Sequence, residues 1–243
     1  MLAGGLKMKA IIVSGGTIDQ EFALGFIKDS RPDYLIAADR GLEFFWKLRQ
    51  DRRRRQEGLV QPDYIVGDFD SIDPRIIETY RREGRIPIDT YDPMKDLTDT
   101  MIAAERAIVL GADELVFLGV TGTRLDHVLA SVYNLKLFRA RGITGRIVDK
   151  NNRVTMPARK PAASAGETYT IRREDAFGKY ISLFPAGEPV TGITLEGFLY
   201  PLSDFTLSAG DGGLCVSNEL APDAEAGRIS WQSGDLLIIE SRD

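Results

Sequence analysis

The feature that most constrains this chain is a rhythm in its first 150 residues. Short β-branched runs alternate with helix-length segments. The runs are Ala10–Val13, Tyr34–Ala38, Tyr64–Val66, Ile86–Ile88 and Leu115–Leu118, with Ile147–Val148 as a sixth. The helical segments are Gly41–Arg53, Pro74–Gly84, Asp96–Leu110 and Asp126–Arg141. Continuous apolar strands separated by such segments predict a mostly parallel sheet with helices on both faces, a Rossmann-like α/β fold. Gly111 and Gly142 follow the last residues of two helices, where a left-handed glycine commonly ends a helix. Leu97, Met101, Ala104 and Ile108 recur with a helical period and predict a core stripe.

Beyond residue 150 the texture changes. Asn151-Asn152 and the segment 157–166 read as turns or a linker. No long helical period follows. Short runs recur instead at Thr168–Ile171, Tyr180–Phe184, Gly192–Leu195, Phe205–Leu207, Leu214–Val216, Ile229–Trp231 and Leu236–Ile239. That spacing predicts an antiparallel β-sandwich domain. The expected organisation is an α/β domain over residues 1–150 and a β domain over 151–243.

Composition enters through two scarcities. The chain has one histidine, His127, and one cysteine, Cys215. This excludes an intramolecular disulfide, a Cys/His zinc site and an iron–sulfur cluster. Metal-dependent polar chemistry would have to use carboxylates. A net charge of −5 argues against nucleic acid as the main partner. No apolar run approaches a membrane span, and the N-terminus lacks the pattern of a signal peptide, with Met8 an alternative start. A soluble cytoplasmic protein is expected. Arg52–Arg55 reads as a solvated helix end.

The acids are placed unevenly. Asp39 closes the second run, while Asp68 and Asp70 follow the third in Gly67-Asp-Phe-Asp-Ser71. Asp92, Asp96 and Asp99 surround a helix start, with Asp96 and Asp99 on one helix face. Ligands of open α/β sheets bind beyond the carboxyl ends of the strands, so Asp39, Asp68 and Asp70 should share one edge. Converging carboxylates suit a hard cation such as Mg²⁺ together with substrate phosphates. A capping or turn role for any single Asp is the alternative.

The loop Gly119–His127 joins a strand to a helix. Its Gly122, Thr123 and Arg124 could hold phosphate through backbone N–H groups and a guanidinium fork. Asp126 is either an N-cap or a partner of that site, and His127 is structural, a ligand contact or an acid/base. Ser14-Gly15-Gly16-Thr17 is a weaker phosphate-loop candidate. Neither a P-loop motif nor a dinucleotide fingerprint is present.

Ala37–Gly41, Gly67–Ile72, Lys95–Asp99 and Gly122–His127 together resemble, in order and spacing, the thiamine pyrophosphokinase family. Gly197–Leu202, Ser217–Glu219 and Ser233–Ile239 extend the resemblance through the C-terminal half. It implies an α/β catalytic domain, a β-sandwich domain and a homodimer with the thiamine site at the subunit interface. The implied reaction transfers the diphosphate of ATP to the hydroxyethyl oxygen of thiamine, giving thiamine diphosphate and AMP with Mg²⁺. By the resemblance, Asp39, Asp68, Asp70 and Asp96 hold Mg²⁺ and phosphates, and Asp99, Arg124 and Asp126 complete the catalytic cleft. Ser217 and Asn218 lie near thiamine, and Trp231 is the candidate to stack on its ring. Arg40 and Thr123 stand where the family usually has glycine, which bears on phosphate placement. The alternatives are a diphosphokinase of the same fold acting on a hydroxymethylpterin and a non-catalytic thiamine or nucleotide sensor.

Overall fold

The computed structural model describes residues 7–56, 58–91, 97–159, 166–211 and 213–243. The chain forms two compact units, Met1–Leu129 and Ala130–Asp243.

The first unit carries β1 (Lys9–Val13), α1 (Gln20–Ser30), β2 (Tyr34–Ala38), α2 (Leu42–Gln50), α3 (Arg52–Gln56) and β3 (Tyr64–Gly67). It continues through α4 (Pro74–Glu83), β4 (Ile88–Thr90), α5 (Asp99–Val109) and β5 (Glu114–Leu118). The strand order is β4-β3-β2-β1-β5, and every neighbouring pair is parallel. The chain steps outward from β1 to β4, then returns to the other side of β1. Right-handed crossovers therefore put α1, α2 and α4 on one face and α5 on the other. Residues 10–13 of β1 are fully buried, as strands covered on both faces must be. The reversal of strand order puts the switch point at the carboxyl ends of β1 and β5.

Several boundaries differ from the sequence expectation. The segment after β1 forms α1, capped by Asp19, whose Oδ1 accepts the Phe22 N–H at 3.0 Å. Its buried face is only Ala23, Leu24 and Ile27, and Gly25 lies within the helix. The fourth strand sits slightly later than expected, over Ile88–Thr90. α5 starts at Asp99 because Thr98 caps it, accepting the Met101 N–H at 3.3 Å. Leu97 is thus exposed, and the core face is Met101, Ala103, Ala104 and Ala107. The arginine run forms the short helix α3, where Arg54 pairs with Glu21 of α1 at 2.5 Å.

The second unit begins inside α6 (Leu125–Ala140) and contains β6 (Thr144–Val148), β7 (Asn152–Met156), β8 (Glu167–Arg172) and β9 (Tyr180–Pro185). β10 (Val190–Glu196), β11 (Leu202–Leu207), β12 (Ala226–Trp231) and β13 (Leu236–Ser241) complete it. Its strands run antiparallel in the orders β6-β7-β13-β9 and β11-β10-β12-β8. One core joins Ile181, Leu183 and Ile238 of the first set to Ile171, Ile193, Ile229 and Trp231 of the second. The expected turn at Asn151-Asn152 is the tip of the β6–β7 hairpin. Because β7 also pairs with β13, β6 and β7 belong to this unit, and the division falls at 129/130 instead of 150. Leu214–Val216 forms turns instead of a strand, and Cys215 is buried, which pushes its thiol pKa up. Among the described residues no helix is long and apolar enough to cross a membrane.

A buried cation anchors this second unit. Arg139 is 1% exposed. Its Nε donates to Asp235 Oδ1 at 2.7 Å, and Nη1 donates to Glu167 at 3.0 Å and to the Pro157 carbonyl at 2.7 Å. Arg159 and Lys136 also reach Asp235, at 2.9 and 3.3 Å. Burial pushes the Asp235 carboxyl up, but the bonds from these three cations outweigh it and hold the pKa below its ordinary value. The folded state therefore binds fewer protons here than the unfolded chain. This stabilisation is complete above the unfolded carboxylate pKa and is lost as pH falls through the folded value. We expect Arg139→Met to cost about 3 kcal/mol in urea titrations at neutral pH, by removing the buried partner that Asp235 and the half-buried Glu167 share. The deficit of Asp235→Asn relative to wild type should shrink progressively as the titration is repeated at pH values falling below the unfolded carboxylate pKa.

Candidate functional site

Two strand ends build the acidic edge of the first unit. β2 runs into Asp39 and β3 into Gly67-Asp68-Phe69-Asp70. Asp39 (φ 46°) and Phe69 (φ 62°) both hold left-handed backbone, which is uncommon for residues with a Cβ. These turns bring one oxygen each of Asp39, Asp68 and Asp70 within 4.8 Å of one another. The Asp70 N–H donates to Asp68 Oδ1 at 3.2 Å, which fixes the second turn. Gly67 works by close approach: a Cβ there would stand 3.1 Å from both Asp39 Cα and Phe69 Cε1.

Asp39 is the most constrained of the three. Ser71 Oγ donates to its Oδ2 at 3.0 Å, while Oδ1 is buried with no hydrogen-bond partner among the described residues. Burial pushes its carboxyl pKa up, and the negative charges of Asp99 and Asp68 add to the effect. Asp99 opens α5, and the next residue, Thr100, meets Ser14 Oγ at 2.8 Å, tying α5 to the end of β1. An orphaned oxygen and crowded acids fit a hard divalent cation. Opposite ligands of octahedral Mg²⁺ lie about 4.2 Å apart, the same scale as this cluster. Asp92 and Asp96 lie outside the described residues.

The two glycine loops prove to be one braced structure. Gly16 N–H donates to the Gly119 carbonyl at 2.7 Å, and Thr17 N–H donates to that of Thr121 at 2.9 Å. Those donors are spent on the neighbouring loop, so Ser14–Thr17 supports the 119–124 loop and does not offer them to phosphate. A Cβ on Gly16 would meet these two carbonyl oxygens at 2.5 and 2.7 Å. Gly122 passes equally close to Thr17, whose Oγ1 would stand 2.9 Å from an added Cβ. Gly15 makes room for Arg40, whose Cβ would be 2.6 Å from a Cβ at position 15. Arg40 turns its fork outward onto Glu43, at 3.1 Å.

Thr123, Arg124, Asp126 and His127 are all exposed. Arg124 Nη2 donates to Asp126 Oδ2 at 2.6 Å, and that bond holds the Asp126 carboxyl pKa below its ordinary value. α6 starts at Leu125, so Asp126 is a first-turn residue and not the N-cap, and His127 follows it on the same turn.

In the second unit the expected ring is misplaced. Trp231 is 2% exposed and packs in the sandwich core, so it cannot stack on a ligand. In β12 it shares the inward face with Ile229, two residues away. Ser217 is exposed, in left-handed backbone (φ 59°) fixed by its N–H on Ser182 Oγ at 2.9 Å. Asn218 is buried, and its amide serves the main chain. Oδ1 accepts the Tyr200 N–H at 3.1 Å and the Glu219 N–H at 2.9 Å, while Nδ2 donates to the Tyr200 carbonyl at 2.8 Å. Asn218 thereby clamps Tyr200, an aromatic ring left 64% exposed. The cavity beneath, lined by Leu183, Phe198, Cys215 and Asn218 among others, is only about 60 Å³.

The sequence pattern described as "Thiamin pyrophosphokinase, catalytic domain" matches residues 29–145. The pattern described as "Thiamin pyrophosphokinase, vitamin B1 binding domain" matches residues 168–236. The chain belongs to the thiamin pyrophosphokinase family.

Its relatives agree. The thiamine pyrophosphokinase of Bacillus subtilis (strain 168) is 35% identical over 187 residues, covering 76% of this chain and 81% of the relative. The crystal structure of thiamine pyrophosphokinase from Bacillus subtilis superposes with a TM-score of 0.77 at 26% identity, covering 97% of this chain and 99% of that one. The enzyme from Geobacillus thermodenitrificans gives 0.76 at 28% identity, covering 97% and 98%.

The catalytic-domain match of the thiamin pyrophosphokinase family takes in Asp39, Asp68, Asp70, Asp99 and the Arg124 loop. β1 and the Ser14–Thr17 brace precede it, yet hydrogen bonds make them part of the same edge. A raised Asp39 pKa means that the folded state favours the protonated form, so the charge at neutral pH destabilises the fold. Asp39→Asn, which tolerates left-handed backbone, should raise the thermal midpoint at pH 7. The gain should vanish as pH falls into the range where wild-type Asp39 protonates. Gly16→Ala should lower kcat/KM for ATP by about 10-fold or more by displacing the braced loop, since a 1 Å misplacement can cost more than that. Gly25→Ala in α1, with open space around it, should leave kcat/KM unchanged and add about 0.5–1 kcal/mol of stability.

Proposed function

We propose that this protein transfers the diphosphate of ATP to the hydroxyethyl oxygen of thiamine, giving thiamine diphosphate and AMP. The observation that carries the reading is the trio of carboxylates at one sheet edge, with a buried Asp39 oxygen that has no hydrogen-bond partner among the described residues. In this reading Asp39, Asp68 and Asp70, joined by Asp96, hold Mg²⁺. When bound, the metal neutralises charge on the phosphate oxygens and on the departing AMP.

The chain's own part is to position and to move one proton. The alcohol oxygen of thiamine bonds to the β-phosphorus. The bond from that phosphorus to the α,β-bridging oxygen breaks, and AMP leaves with the electron pair. Asp99 or Asp70 takes the alcohol proton. Arg124 is held by Asp126 in an exposed pair, which costs little to break, so its fork can turn to a phosphate oxygen. Gly122, Thr123 and His127 lie on the same loop and helix start. Tyr200, clamped by Asn218 beside Ser217, is the ring on which thiamine stacks.

Tyr200 is 64% exposed, and in this reading the surface that covers its ring belongs to another copy of the chain. An apolar ridge on α6 supports self-association. Leu125, Leu129, Tyr133 and Leu137 recur every four residues and all are exposed.

A coupled AMP-release assay with Mg²⁺ and ATP separates acceptors. Thiamine should support AMP release and a hydroxymethylpterin should not. Binding of both ligands without AMP release would identify a sensor instead. Asp68→Asn should lower kcat by at least about 100-fold. Near-normal turnover of that variant would remove the metal assignment. Mixing inactive Asp68→Asn with inactive Tyr200→Ala should restore roughly a quarter of wild-type activity, through mixed dimers with one intact site. No recovery would place both residues in a site within one chain.

A further inference from the structure

Phe69 stands between two of the carboxylates and is the residue that orients them. It holds a left-handed conformation at φ 62°, which costs energy for a residue with a Cβ. Its ring is 8% exposed, although both neighbours in sequence reach the rim. The ring lies against Gly67, where a Cβ would come within 3.1 Å of Phe69 Cε1. On α4, Arg81 places its guanidinium carbon 5.7 Å from the centroid of the same ring, within cation–π range. Arg81 Nη2 also lies 3.5 Å from Thr90 Oγ1. Thr90 pairs in register with Gly67, at the end of β4. One cation thus touches both the ring that pins the turn and the strand beside it.

We infer that Arg81 is a positioning residue for the metal-binding turn, acting through Phe69. With its ring held between Gly67 and the Arg81 guanidinium, Phe69 stays left-handed, and Asp68 and Asp70 stay aimed at Asp39. Without Arg81 the ring loses its outer contact, and the turn samples conformations in which the two carboxylates diverge. Arg81 touches neither substrate nor metal in this account. Its removal should weaken metal binding and leave thiamine binding alone.

The inference rests on the metal site proposed above, and the experiment separates the two. The probe is Mn²⁺, followed by electron paramagnetic resonance of the full-length protein with a non-hydrolysable ATP analogue. Wild type should bind Mn²⁺, and Arg81→Ala should bind it about 5–10-fold more weakly, as expected for a lost cation–π contact of roughly 1–1.4 kcal/mol. The Mg²⁺ activation constant should rise by a similar factor with KM for thiamine unchanged. Arg81→Lys should recover part of the loss, since an ammonium also binds a ring face. The deciding variant is Phe69→Leu, which keeps an apolar side chain and removes the ring face. In that background Arg81→Ala should have no further effect on Mn²⁺ affinity. If the Arg81→Ala effect persists there at full size, Arg81 acts directly on phosphate or metal and the inference fails. A change in thermal midpoint with unaltered Mn²⁺ affinity would make Arg81 merely structural and also overturn it. If wild type binds no Mn²⁺, the metal site itself falls, and the inference with it.

Discussion

Mutual repulsion among carboxylates is the interaction around which the first unit is arranged. Left to themselves, Asp39, Asp68 and Asp70 would separate into solvent. They are kept together because β2 and β3 are adjacent parallel strands that end at the same level. Each then breaks its extended conformation with one left-handed residue. The glycines follow from this demand. Gly67 lets the backbone of Asp39 and the ring of Phe69 share one space, and Gly41 passes so near the Val13 carbonyl that no Cβ would fit. The site is therefore written into backbone packing as much as into side chains.

The same edge shows how a loop rich in glycine need not be a phosphate loop. The N–H groups of Gly16 and Thr17 look like free donors in the sequence. In the fold they complete a miniature extension of the β1–β5 pairing, beyond the last strand residues. In the proposed reading, anion contacts are left to the 119–124 loop and the start of α6. Bracing fixes that loop from behind while its own side chains, Thr123 and Arg124, remain exposed.

The parallel strands were legible because burial on both faces demands unbroken apolar runs ending in Gly or Asp. The acidic edge was legible because position in that fold determines where such residues point. The rest was hidden for identifiable reasons. α1 buries a narrow face and contains Gly25, so its period is faint. β7 reads Asn-Arg-Val-Thr-Met, and its turn-like start disguised a hairpin. Leu214–Val216 has strand-like residues, yet an irregular segment places Cys215 in the core. Trp231 carried a legible warning: it lies two residues after Ile229, and period-two alternation sends both inward. Tyr200 lies in the Gly197–Leu202 run, but the clamp on its main chain comes from Asn218, 18 residues away, which no local pattern announces.

Arg139 has a consequence for how the second unit assembles. Its acidic partners, Glu167 and Asp235, lie 28 and 96 residues further along the chain. Until both arrive, docking the end of α6 against the sandwich would desolvate a guanidinium with nothing to neutralise it. Half-built arrangements of these strands are thus penalised, and only the complete one gives the guanidinium both of its acids. The contact with Asp235 spans 96 residues of sequence, so forming it carries the closure entropy of a long loop.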